Sequence, residues 1–201
     1  TITVTDPNVV FSTNTTCLAR DTANWSGCPA GAEQVTTTGD VSSLINSKIG
    51  QGKRRLLLRR GDSWNVGTPI TINTIGPGIL GAFGTCQSPD ARGICGNAPI
   101  ISSSTDMDMI TLQGSTLQRN WRIMDLEITS SGSSGCTSQT CSGDAINGGE
   151  GTQKDWLVLL LKIHDIFSGV LANQFFSNNP GSATYNSNTM HDHLFVVDSH
   201  I

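Results

Sequence analysis

A stretch that recurs three times limits this chain more than any other feature of its sequence. The copies are WRIMDLEIT from Trp121, WLVLLLKIH from Trp156 and LFVVDSHI from Leu194. With Ile128, Ile163 and Ile201 in one column, Leu126, Leu161 and Ser199 fall two places earlier. Ile123, Val158 and Val196 then fall five places earlier, and Trp121, Trp156 and Leu194 seven. Apolar columns at fixed offsets with charge between them mark a repeat that stacks on itself. The spacing is nearly constant, 35 residues from Ile128 to Ile163 and 38 from Ile163 to Ile201. An antiparallel sandwich or jelly roll has no reason to reproduce these offsets. The repeat therefore predicts a β-helix, in which each coil returns to pair with the one before.

The composition suits that reading. Of 201 residues, 36% are hydrophobic and 5% aromatic, and 22 are glycine. This is lean for a globular core and adequate for one narrow apolar column with many polar turns. The net charge of −4 argues against a nucleic-acid partner, because phosphate contacts dominate such affinity. No apolar run approaches the roughly 20 residues of a membrane span. No signal peptide opens the chain, so Thr1 reads as a mature or trimmed terminus.

The six cysteines fall as close pairs, Cys17 with Cys28, Cys86 with Cys95 and Cys136 with Cys141, each in a loop rich in small and polar residues. Six cysteines allow 15 pairings. Local disulfides are the expectation, and they imply an oxidising compartment, secreted or on the cell surface. Zinc is the rival, but the sequence contains no CxxC and no histidine near these pairs.

Residues 1–38 read as a polar leading segment with one short alternating strand, Ile2–Val4, and the first disulfide. Asp40 then caps a helix whose apolar positions Val41, Leu44, Ile45 and Ile49 recur at helical spacing. Gly50 and Gly52 end it, with Lys53, Arg54 and Arg55 favourably placed at its C-terminus. One amphipathic helix ahead of a run of strands is expected to cover the open end of the core. Strands are predicted over 55–59, 70–73, 79–83, 99–102 and 109–113, then in the three repeats, with 144–147 and 169–172 between them.

The pattern W-x-I-x-D-L-x-I, a Gly-rich turn, and W-x-V-x-x-L-x-I-H-D resembles secreted right-handed parallel β-helix proteins of the pectate-lyase-like superfamily. So do Leu56-Leu-Leu-Arg-Arg-Gly-Asp-Ser-Trp64, the helix before it and Gly81-Ala-Phe-Gly84 behind it. The likeness covers residues 40–201. It implies a right-handed β-helix over 39–201 of about four coils, with the helix as an N-terminal cap and the C-terminal end uncapped at Ile201. The superfamily's Arg-containing lyase signatures and paired-Asp hydrolase signatures are not present intact. No residue is carried over as catalytic on that ground.

The outward positions of the repeat supply the groups for chemistry. With the apolar columns facing in, Glu127, Lys162 and His200 form one outward ladder and Asp125, Leu160 and Asp198 a second. Upstream, Arg119, Lys154 and Asp192 align, as do Asn120, Asp155 and His193. The resemblance implies an extracellular polysaccharide as ligand, with lyase or hydrolase chemistry on this face. A lyase needs a cation, calcium or a basic side chain, to neutralise a uronate carboxylate, and a base for the α proton. Glu127 and Asp125 are the acidic candidates, Lys162 and Arg122 the basic ones. Arg119, Lys154 and Trp64 are candidate sugar contacts, and the plainer reading of all these charges is a solvated outer face. All four histidines lie from His164 onward. His191 and His193, with Asp125 and Asp198, make a conceivable metal set. Asp106 and Asp108 suggest calcium or, more simply, a turn before a strand. The basic cluster Lys53, Arg54, Arg55, Arg59 and Arg60 reads as a grip on anionic glycan or as charge at the helix end.

The functional expectation is a secreted protein that binds or acts on an extracellular polysaccharide. The alternative is a non-enzymatic structural component, an adhesin or fibre unit, that joins a copy of itself or another chain through its C-terminal end.

Overall fold

A computed structural model of the chain describes residues 14–112, 118–131, 143–148, 153–166, 168–171, 192–197 and 199. Its first half contains β1 (Thr15–Ala19), β2 (Glu33–Thr36), α1 (Val41–Gly50), β3 (Arg55–Arg59), β4 (Ser63–Asn65), β5 (Ile70–Ile72), β6 (Gly78–Phe83), β7 (Ile100–Ser103) and β8 (Ile110–Leu112). There follow β9 (Gln118–Arg119), β10 (Trp121–Met124), β11 (Glu127–Ser130), β12 (Asp144–Asn147), β13 (Gln153–Leu159), β14 (Lys162–His164), β15 (Ser168–Leu171) and β16 (Asp192–Val197). The described strands pair in parallel and divide among three sheets. The first has eight strands, ordered β16-β13-β10-β6-β3-β1-β2 with β9 beside β13; the second is β14-β11-β7-β4 and the third β15-β12-β8-β5.

This pairing corrects the expectation of a single right-handed β-helix. The chain visits the three sheets in turn from β3 to β15, but the sheets are unequal and no single uniform solenoid is shown. The fold is all-β and parallel, with one short helix. Part of the difference comes from the leading segment. β1, buried at all five positions, inserts between β2 and β3 and widens the first sheet. Nothing in residues 14–38 copies the repeat, so periodicity gave no sign of these strands. The expected strand at 2–4 and the chain end at Ile201 lie outside the described residues.

The register is the one the repeat implies. Ile123 pairs with Val158 and Val158 with Val196, while Ile128 pairs with Ile163. In the first sheet the column extends back through Leu80 to Leu56, and in the second Ile128 continues to Ile101 and Trp64. Ile70, Ile110 and Ile146 make the column of the third. Apart from Val196, of which only the strand pairing is described, these side chains are buried in one core. Trp121 and Trp156 stack within it, ring centroids 6.4 Å apart, and Trp121 Nε1 donates to Thr74 O at 2.8 Å. Opposite Trp121 stands Gly78. Any Cβ there would lie 2.5 Å from the indole ring.

The helix forms where its apolar spacing puts it. Asp40 Oδ1 accepts from Ser42 N at 2.9 Å, and Gly52 adopts φ +87° just past the end. Its inner face lies against β5, the edge strand of the third sheet. Asn46 Oδ1 accepts from Thr71 N at 2.7 Å and Asn46 Nδ2 donates to Pro69 O at 3.0 Å. The helix thus supplies partners that an exposed strand edge would otherwise seek elsewhere.

Bends within the first sheet and corners between sheets are made by left-handed residues. Asn120 and Asp155 precede β10 and the second half of β13, Asp125 and Leu160 join the first sheet to the second, and Asp165 follows β14, all with φ between 55° and 61°. Asn and Asp adopt this conformation at least cost, and leucine does so at roughly 1–2 kcal/mol. On the outer side of the first sheet a smaller apolar cluster, Cys17, Ala19, Leu57 and Phe83, is covered by Trp25. The Trp25 and Phe83 rings stack with centroids 6.0 Å apart. The Cys17–Cys28 disulfide ties that cover to β1, and Cys86–Cys95 closes the loop after β6. Cys136 and Cys141 lie outside the described residues. No helix among the described residues is long and apolar enough to cross a membrane.

Substituting Gly78→Ala forces a methyl group into a fully buried indole and should destabilise the fold by about 1–3 kcal/mol. Denaturant unfolding measures this as a lower midpoint, and an unchanged midpoint would show that Trp121 has room to move.

Candidate functional site

The outward side of the second sheet carries two rows of side chains, polar except at Ile100. Strand alternation sets them: Ser63, Ile100, Glu127 and Lys162 are in register in one, and Asn65, Ser102, Thr129 and His164 in the other. At the β11–β14 end the rows join into a charged cluster. Glu127 Oε1 accepts from Lys162 Nζ at 3.1 Å and from His164 Nε2 at 2.9 Å. His164 Nδ1 lies 2.7 Å from Asp165 Oδ2, and Thr129 Oγ1 is 3.5 Å from the same nitrogen. Glu127 is largely covered, with 14% of its side chain exposed, whereas Lys162 and His164 keep 43% and 37%. Among the described residues, Glu127 Oε2 takes no hydrogen bond.

A histidine with a carboxylate at each ring nitrogen needs a proton on both. The hydrogen bond to Glu127, and then that to Asp165, raises the His164 pKa above the ordinary 6.5 against the smaller opposing effects of burial and of Lys162. The cluster brings Lys162 and His164 to one oxygen of Glu127, with Asp165 on the far side of the imidazole. His164 Nε2 and Lys162 Nζ, 2.9 and 3.1 Å from Glu127 Oε1, are both placed to donate. The imidazole belongs to the same face as Lys162 because it lies two positions further along β14. Alternation applied one step beyond the Glu127–Lys162 ladder identifies it, as does the alignment of His164 with Thr129.

The other expected groups divide. The register places Glu127 beside Lys162, as the ladder required. It also puts Arg119 beside Lys154 and Lys154 beside Asp192 in the first sheet. Arg122 is half-buried in the first sheet between Ile79 and Leu157, away from the Glu127 cluster. Asp125 occupies the corner before β11 and pairs with Arg60 Nη2 at 3.1 Å. Trp64 is corrected: it is 2% exposed and its Nε1 donates to Thr37 O at 2.9 Å, so its ring cannot meet a sugar. It follows the inward position of β4, flanked by outward Ser63 and Asn65. The basic cluster is dispersed: Lys53 pairs with Glu33, Arg54 donates to the helix-end carbonyl of Ile49, and Arg59 binds Asp21 and Asp62.

For the metal set, His191 and Asp198 lie outside the described residues, His193 is described only as part of β16, and Asp125 is paired with Arg60; His200, from the outward ladder, also lies outside the described residues. Among the described residues no group of three or more His, Cys, Asp or Glu is placed to hold a metal ion. Asp106 Oδ1 accepts from Gly143 N and Asp108 Oδ1 from Asp144 N, both at 3.0 Å. Asp108 Oδ2 accepts from Asn147 Nδ2 at 2.9 Å. These are turn contacts between neighbouring strands of the third sheet.

Two outcomes follow from this geometry. Trp64→Ala should cost about 3–5 kcal/mol of stability by opening a core cavity, measured by denaturant unfolding. A change confined to ligand affinity would instead place the ring at the surface. The His164 ring should titrate by NMR with a midpoint above 6.5, and Glu127→Gln should bring it down towards 6.5. A group whose pKa is raised on folding stabilises fully below its unfolded value and loses that contribution as pH rises through the folded one. Stability should therefore decline through the His164 midpoint, and less so in Glu127→Gln.

No protein-family model, curated protein or solved structure matches this chain, so the chemistry of the face rests on its own groups.

Proposed function

We propose that this protein binds an extracellular polysaccharide along the outward face of the second sheet. One observation carries the reading: Lys162 Nζ and His164 Nε2 meet on one oxygen of Glu127, on a face that also presents small polar side chains. Ser63, Asn65, Ser102 and Thr129 form a strip across β4, β7 and β11. An extended polymer with hydroxyls along its length suits such a strip, because each strand adds a row of donors and acceptors about 4.8 Å from the last. The Cys17–Cys28 and Cys86–Cys95 disulfides fit a chain that works in an oxidising compartment.

Lys162 and His164 act as donors to sugar oxygens, and Glu127 Oε2 accepts from a hydroxyl. If bond cleavage accompanies binding, the His164 imidazolium is the acid. Lys162 Nζ lies 3.1 Å from Glu127 Oε1, and this contact makes it less suited to the role of α-proton base than its outward position alone suggests.

The test is a binding screen of soluble neutral and acidic polysaccharides, read by affinity electrophoresis and by release of reducing ends or unsaturated products. Lys162→Ala should fold normally and weaken the best ligand about tenfold, near 1.4 kcal/mol. Absence of retardation across the panel, or an unaltered affinity in Lys162→Ala, would remove this reading.

A further inference from the structure

We propose that a second site, a polar cavity of about 410 Å³ at the corner between the first and second sheets, is a subsite for one uncharged sugar residue. Its floor is the turn from β3 to β4, which carries Arg59, Arg60 and Asp62. Asn24 and Ser26 from the segment after β1 form one wall, and Gln87 from the loop after β6 the other. Each wall is closed by its own disulfide, Cys17–Cys28 or Cys86–Cys95. The walls touch where Gly27 meets Gly84: a Cβ on Gly27 would lie 2.7 Å from Gly84 N. Asn97 Oδ1 accepts from Gln87 N at 2.9 Å, and Asn97 Nδ2 donates to Thr85 O at 3.0 Å, which holds the second wall in place. A cavity framed this way loses little freedom when a ligand enters.

The chemistry of the lining selects the ligand. Arg59 is spent on two carboxylates: Nη1 donates to Asp21 Oδ1 at 2.7 Å, while Nε and Nη2 donate to the two oxygens of Asp62 at 3.0 and 2.9 Å. Arg60 is different. Its side chain is 9% exposed, and Nη2 pairs with Asp125 at 3.1 Å. Its buried Nε and Nη1 have no hydrogen-bond partner among the described residues. Buried donors of this kind call for an acceptor that the folded chain does not supply. Two arginines are matched here by Asp21, Asp62 and Asp125, so no surplus positive charge exists to hold an anion. A polyhydroxylated neutral ligand meets both demands. Its oxygens accept from Arg60, and its hydroxyls donate to the carboxylate and amide oxygens of the walls. A volume of this size lies within the usual range for small-molecule sites.

The cavity borders the polar strip, since Asp62 of its floor directly precedes Ser63 of the strip. Asp62 O accepts from Ile100 N at 2.9 Å, and Ser63, Ile100 and Glu127 are in register. Two strand spacings, about 10 Å, separate the cavity floor from the row of Glu127. One polymer can therefore seat a residue in the cavity and extend along the strip. In that respect the inference rests on the polysaccharide reading of the strip.

The experiment is NMR titration of the isotopically labelled full chain with methyl glycosides of neutral hexoses and pentoses, with glucuronate, and with neutral oligosaccharides. Saturable shifts are expected at the amides of Asn24, Gln87 and Asn97 with a neutral glycoside, with a Kd on the order of 1 mM. Arg60→Gln should weaken this at least tenfold. Gln87→Ala, in an exposed loop, should keep the native spectrum and weaken it about threefold. No saturable shift at these amides with any neutral sugar, tighter binding of glucuronate, or full affinity in Gln87→Ala and Arg60→Gln would overturn the assignment. Oligosaccharide shifts at Thr129 and Lys162 alone would remove the cavity and leave the strip. Shifts at the cavity alone would remove the strip and leave the cavity.

Discussion

Parallel pairing in register is the constraint on which the rest of this structure depends. Because successive strands run the same way, each inward residue sits directly over its counterpart on the neighbouring strand. Ile123 lies over Val158 and Ile128 over Ile163, and the indoles of Trp121 and Trp156 stack. A shift of one residue would turn every one of these side chains to the opposite face. The same pairing that buries the apolar columns also fixes the outward ones, so Glu127 meets Lys162 and Thr129 meets His164. Core and surface are set by one register.

The corners translate that register into a three-dimensional site. Asp125 and Leu160 adopt left-handed backbone at the same bend, which aims β11 and β14 away from the first sheet. Asp125 then turns its carboxylate to Arg60, joining the bend to the floor of the polar cavity. The leading segment adds the remaining wall. It pairs β1 into the first sheet, crosses Leu57 and Phe83 with Trp25, and is pinned by a disulfide.

How much of this was legible differs from residue to residue. The helix at Val41–Gly50 was readable because its cap and its apolar spacing are local signals. So were Glu127 beside Lys162 and Arg119 beside Lys154, since the repeat itself encodes the register. Trp64 was misread because β4 is only three residues long, too short for alternation to show that its ring points inward. His164 went unselected although the same alternation reaches it. The resemblance to one right-handed β-helix overreached: equal repeats report which residues pair, but not how many strands a sheet gathers or what joins its edge.

By itself, then, the sequence determined the all-β parallel class, the inward columns and the capped helix, and it made local pairing of the cysteines the expectation. Each follows from periodicity or short separation along the chain. Only the tertiary structure decided that the strands form three unequal sheets, that β1 enters the first of them, and that His164 lies between two carboxylates. It alone placed Arg60, Asp21 and Gln87 around one cavity. Those arrangements join residues far apart in the chain through packing against surfaces that exist only once the sheets have formed, and no local pattern records them.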